Sequence, residues 1–205
     1  FRASLTEPAA AMLKTLAPHT GGAFRFALSH LGLFGPLLVA AFTKGGGETN
    51  ALCRTTLALT MLEGSKGANI LPAKVRAIAN VRISIGESSE EVVERIRRIV
   101  ADPEVEVKVV YRGEPSPVSD TSCAAYDTVA ATIRETFPEV VVSPYLMLGA
   151  SDARHYAALS NHVYRFSPLE MSREERESMH GVNERVPVAK LGKCAEFYER
   201  LIQKC

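Results

Sequence analysis

Three strings hold the residues best able to do chemistry: Gly149-Ala-Ser151-Asp152-Ala-Arg154, Met179-His180-Gly-Val-Asn183-Glu184-Arg185, and Asn69-Ile-Leu-Pro72 with Asn80-Val-Arg82. A carboxylate can order a loop near a cation, a guanidinium can grip another carboxylate with a two-point fork, and an imidazole can bind a metal or carry a proton. Ser151 fits a helix N-cap, Asp152 suits the positive end of that helix, and Arg154 leaves the same turn. Loops beyond strand ends are where α/β sheets gather such groups. Each residue also has an ordinary reading. A loop histidine is most often solvated, Asp152 can be only a cap, and Arg82 and Arg154 can be surface charges.

The elements that must position these groups follow from periodicity. Ala9 to Leu16 has helical character, and Pro18-His-Thr-Gly-Gly22 breaks it. Leu28 to Phe42 reads as a buried helical pair broken at Gly35-Pro36, and Gly45 to Gly47 as a flexible connection. His19 and His30 have no partners at ligand spacing and are expected to be solvated or packed. Leu57, Leu59 and Met61 alternate with Ala58, Thr60 and Leu62, and Ala77 to Ile85 alternates more cleanly with Arg82 on the polar face, giving two strands. Ser88-x-x-Glu91 opens a helix with the stripe Val92, Val93, Ile96, Ile99 and Val100, closed by Asp102-Pro103. Val105, Val107 and Val109 suggest another strand. Past Gly113-Glu-Pro115-Ser-Pro117 come a helix over Tyr126 to Phe137, short strands at Val140–Val142 and His162–Phe166, and a final helix striped by Leu191, Cys194, Ala195, Tyr198, Leu201 and Ile202.

Bulk properties bound the function class. The 205 residues carry a net charge of +1, so nothing favours nucleic acid or an anionic membrane surface as a partner. No window has the apolar length of a transmembrane helix. The four cysteines are widely spaced with no Cys-x-x-Cys, which argues against a structural zinc or redox motif and leaves the compartment open, the cytoplasm marginally favoured. The chain begins at Phe1 without a signal pattern and reads as a piece of something longer.

The three strings, in this order and spacing, resemble the zinc-dependent aminoacylase and carboxypeptidase family of metallopeptidases. The run Thr49-Asn50 to Thr60 leans toward its carboxypeptidase S and N-acyl amino acid hydrolase branch. The resemblance implies an α/β chain with two parts: residues 1–113 as a ferredoxin-like lid, or dimerisation, domain, and residues 114–205 as the C-terminal part of the catalytic domain. It assigns Asn69, Arg82, Asp152 and Arg154 to the substrate side, the arginines holding a free carboxylate and Asp152 ordering the loop near the metals. His180 becomes a ligand of one of two zinc ions. Ser151 stands where most members have Thr, and Ala150 where many have Gly.

The same resemblance places the family's His-x-Asp segment, bridging Asp, Glu-Glu pair and lid histidine before Phe1, so no catalytic residue is expected here. No His-x-Asp occurs, Glu90-Glu91 opens a helix, and Glu174-Glu175 lies in a charged run. In the family the metals activate water and a glutamate moves the proton; one imidazole cannot hold zinc tightly. The expected parent is a zinc amidohydrolase acting on N-acyl amino acids or short peptides with a free carboxylate, possessing two zinc ions and able to pair through its lid. The chain by itself is expected to be inactive and to hold no zinc tightly. The alternative is a non-catalytic relative serving as a dimerisation or amino-acid-binding module.

Overall fold

The computed structural model describes residues 1–205, which divide into two units: Phe1–Pro117 with Tyr145–Ala150, and Val118–Pro144 with Ser151–Cys205.

The first unit opens with helix α1 (Glu7–Leu16), started by Pro8, and a 3-10 turn at Ala17–His19. Helices α2 (Gly22–Ser29) and α3 (Leu31–Gly45) follow at 113° to each other. The break therefore falls at His30, not at Gly35-Pro36. His30 stacks on Phe26 at 4.3 Å, and its Nδ1 donates to the Phe26 carbonyl at 2.9 Å, so the imidazole satisfies the end of α2. Pro36 lies inside α3. Its missing N–H removes one helical bond, to the carbonyl of exposed Gly32, where water can replace it. Leu13, Ala17, Leu28 and Leu38 form the core of these helices. The expected fully buried pair is only half buried: Leu33 and Leu37 face out at 73% and 67% exposure. No single helix is long and apolar enough to cross a membrane.

The glycine run is an ordered turn rather than a loose connection. Gly46 and Gly47 adopt φ of 69° and 52°, a region open to glycine, and helix α4 (Gly47–Ala51) starts there. The Thr49 hydroxyl bonds the Phe42 and Gly46 carbonyls at 3.0 and 2.9 Å.

Strands β1 (Thr56–Glu63) and β2 (Arg76–Arg82) pair antiparallel from Thr56 opposite Arg82 to Glu63 opposite Arg76. A bulge lies between Leu59 and Met61, and the Thr60 hydroxyl there bonds the Ile78 carbonyl. Leu57, Leu59, Met61 and Leu62 are exposed. Helix α5 (Ser89–Val100) begins with the expected capping box at Ser88 and Glu91 and ends with Ala101 in left-handed conformation. Buried Thr55 donates to Glu87, which also pairs with Arg95 at 2.6 Å, tying the start of β1 to α5. The stripe of α5 is partly exposed, with Val92 at 2% and Ile99 at 70%.

The second unit is built on helices α6 (Ala124–Thr136) and α9 (Val188–Ile202), with short helices α7 (Ala153–Tyr156) and α8 (Arg173–Glu177) between them. Thr132 and Thr136 are buried because their hydroxyls bond the carbonyls of Thr128 and Thr132 one turn back. In α9 the buried residue is Phe197, at 1% exposure and 5.0 Å from the Phe166 ring. Tyr198 and Ile202, from the expected stripe, are exposed. Lys193 donates to the Thr136 carbonyl, and Lys204 pairs with Glu135, fixing α9 beside α6.

The expected strands at Val105–Val109, Val140–Val142 and His162–Phe166 form no ladder. A strand exists only within a ladder; the segment at residues 161–164 meets residues 119–120 through too few backbone bonds to make one. The fold is thus a mixture of many helices with one two-stranded sheet, consistent with the expected α/β class, and two strands do not confirm the ferredoxin-like arrangement expected of residues 1–113.

Candidate functional site

Within the first unit, Asn69 lies exposed in the loop joining β1 to β2, and Arg82 is the last residue of β2. β2, about 20 Å long at 3.3 Å per residue, lies between the loop that carries Asn69 and the strand end that carries Arg82. Arg82 is exposed and donates through Nη1 to the Leu148 carbonyl at 2.6 Å, which leaves its remaining donors for an anion.

In the second unit the Ser-Asp-Ala-Arg turn differs from the expected cap. Asp152, not Ser151, occupies the N-cap position of α7, without a side-chain capping bond, and the helix is four residues long. Ser151 Oγ is buried without a partner. Arg154 donates through Nε to His155 Nε2 at 3.3 Å, and both side chains are exposed.

The His180 loop is shaped by its backbone. Helix α8 is opened by a second capping box, Ser172 with Glu175, whose carboxyl is held below its ordinary range by the Ser172 N–H and by Lys190. After it the Gly181 N–H closes a turn onto the Ser178 carbonyl at 2.9 Å. A Cβ at Gly181 would lie 3.1 Å from that oxygen, so the turn calls for glycine. His180 and Asn183 take left-handed φ of 64° and 62°. His180 is exposed, and no pair of other ligand-type side chains gathers with it. A two-metal centre therefore does not fit residues 1–205 by themselves.

A different trio does come together. The ligand atoms of Asp120, Cys123 and His162 all lie within 4.8 Å of one another. Tyr164 stands beside them, donating to the Asp120 carbonyl at 2.6 Å, with its oxygen 3.1 Å from Cys123 Sγ. Burial, and then the contact with Cys123, push the Tyr164 hydroxyl well above its ordinary range, so it stays a donor. Residue spacing alone does not reveal this grouping. Asp120 and Cys123 are three apart, but His162 reaches them through pairing of distant chain segments.

The family model of peptidase family M20/M25/M40 matches residues 11–204. Probable carboxypeptidase S-like 2 of Dictyostelium discoideum is 32% identical over 181 residues, which are 88% of this chain and 35% of that protein. The N-fatty-acyl-amino acid synthase/hydrolase of Mus musculus is 36% identical over 194 residues, 93% of this chain and 38% of that protein. Carboxypeptidase S of Saccharomyces cerevisiae is 29% identical over 184 residues, 74% of this chain and 32% of that protein. The chain spans about a third of the length of these curated relatives. No solved structure matches it.

Proposed function

The chain belongs to peptidase family M20/M25/M40, and from that premise we propose that it is part of a metal-dependent hydrolase that cleaves the amide bond of N-acyl amino acids or of short peptides with a free carboxylate. The observation that carries this reading is the family match across residues 11–204, which includes Asn69, Arg82, the Ser-Asp-Ala-Arg turn and His180. Relatives named for carboxypeptidase and N-fatty-acyl-amino acid chemistry supply the substrate class.

In this reading the chain's own residues bind and orient. Arg82 and Arg154 are both exposed guanidiniums, suited to the substrate carboxylate. Asn69 would contact the remainder of the substrate, Asp152 would order its loop, and His180 would serve as one zinc ligand, the other ligands lying outside these residues. Residues 1–113 are the lid and residues 114–205 a segment of the catalytic domain. Two copies pair through the lid, whose hairpin exposes Leu57, Leu59 and Met61. Sedimentation tests this point: a strictly monomeric chain at micromolar concentration would remove it.

The second reading is a non-catalytic relative that kept the lid as a dimerisation or amino-acid-binding module; it is favoured if the full-length protein also lacks the upstream metal ligands. Hydrolysis of a panel of N-acyl amino acids, by the 205-residue chain alone and co-expressed with the preceding region of the mouse relative, separates the two. Turnover only in the co-expressed form supports the hydrolase. Binding of the free amino acid without turnover in either form supports the module.

A further inference from the structure

We propose that Asp120, Cys123 and His162 form a binding site for one divalent cation of the zinc class, which clamps the segment before α6 to the segment at residues 160–164. The donors are a sulfur, an imidazole nitrogen and a carboxylate oxygen, all within 4.8 Å of one another. Around a tetrahedral zinc, bonds of about 2.3 Å to sulfur and 2.0–2.1 Å to nitrogen and oxygen set ligand separations of about 3.4–3.6 Å. His162 is exposed, so its side chain can rotate to close that gap. A sulfur and nitrogen pair selects zinc-like ions over magnesium or calcium.

The backbone under the trio is already built. Ser119 donates through Oγ to the Val163 carbonyl at 2.8 Å and receives the Val163 N–H at 3.2 Å. The Asp120 N–H donates to the Asn161 carbonyl at 3.3 Å, and Tyr164 donates to the Asp120 carbonyl at 2.6 Å. A cation therefore orders side chains only, not two free loops.

The surroundings hold the ligands as well. The Ser122 N–H bonds Asp120 Oδ1 at 2.8 Å, which fixes the carboxylate and leaves its second oxygen for the metal. Tyr164 OH lies 3.1 Å from Cys123 Sγ and, by turning its one proton from the Asp120 carbonyl to the sulfur, can steady a thiolate, the kind of outer partner that tunes metal sites. On binding, the Cys123 thiol loses its proton to solvent. One thiolate and one carboxylate then neutralise the dication, so the site carries no net charge. Three protein ligands leave a fourth position for water.

Cobalt(II), a spectroscopic stand-in for zinc, tests this on the reduced 205-residue chain. The expected result is one equivalent bound, with a thiolate-to-cobalt band in the near ultraviolet that zinc abolishes. Cys123→Ser should remove the band. His162→Ala and Asp120→Asn should each weaken binding more than about tenfold, and Tyr164→Phe about 10–100-fold. Cys205→Ser and Cys194→Ser should leave it unchanged. No band in the natural chain would overturn the proposal, as would a band that survives Cys123→Ser or falls with Cys205→Ser. If Cys123→Ser lost its native far-ultraviolet dichroism, His162→Ala at an exposed position would decide alone: full-strength binding there also refutes the site.

Discussion

The loop at His162 and the loop at His180 belong to the same unit and differ in what stands around the imidazole. His162 meets a thiol and a carboxylate over two segments bonded to each other between Ser119 and Val163. His180 sits exposed in left-handed backbone within a tight turn, with no pair of potential ligands near it. The first loop has ligand geometry without a role assigned by the resemblance, and the second has a proposed family role without local geometry. A motif records what a residue does inside a whole domain, whereas a cluster is made by the backbone pairing that carries its members. The two kinds of information need not coincide in one chain.

The comparison can be broken most forcefully through packing. Phe197 is buried against Phe166, four residues beyond His162. Phe197→Ala should cost about 3–5 kcal/mol in urea unfolding and loosen the His162 segment, so cobalt affinity should fall with it. An unchanged midpoint would show that α9 does not support that segment. Tyr164→Phe removes a donor to the Asp120 carbonyl and should cost about 1 kcal/mol, without touching the His180 loop. Equal loosening of both loops, read by amide exchange, would contradict their independence.

The smallest effect concerns the helix before His180. Glu175 is held below its ordinary value of 4.5, chiefly by the Ser172 N–H. A depressed carboxyl contributes stability that is present above the ordinary value and lost as pH falls through the depressed one. Amide exchange in α8, corrected for its intrinsic pH dependence, should therefore speed up as pH falls below the ordinary value of 4.5 and through the depressed one. Ser172→Ala should abolish most of that pH dependence. Exchange that ignores pH would mean the capping box does not hold α8 in solution.

What the sequence disclosed was mostly local. Ser88-x-x-Glu91 specified its capping box because every partner lies within one turn. The alternation of β1 and β2 was legible for the same reason, but the bulge near Thr60 was not, since it depends on how the two strands register. The helix break moved to His30 because the imidazole reaches the Phe26 carbonyl, a contact that composition does not announce. The α9 stripe was displaced onto Phe197 because what faces α6 and Phe166, not periodicity alone, decides burial. Valine runs at Val105–Val109 and Val140–Val142 have strand propensity, but propensity supplies no partner. At the site, the residue strings were legible as strings. The meeting of Asp120, Cys123 and His162 was not, because it is set by pairing between distant residues.

The role of His180 can be tested directly by turnover of an N-fatty-acyl amino acid by this chain co-expressed with the preceding region of the mouse relative. Measurements with and without His180→Ala would run beside Cys123→Ser. The expected result is activity that falls more than about a hundredfold in His180→Ala, beyond what loss of an outer partner of a metal ligand causes, and persists in Cys123→Ser. Full activity in His180→Ala would contradict the assignment of this histidine to the metal centre and, with it, the proposed place of the chain in the hydrolase.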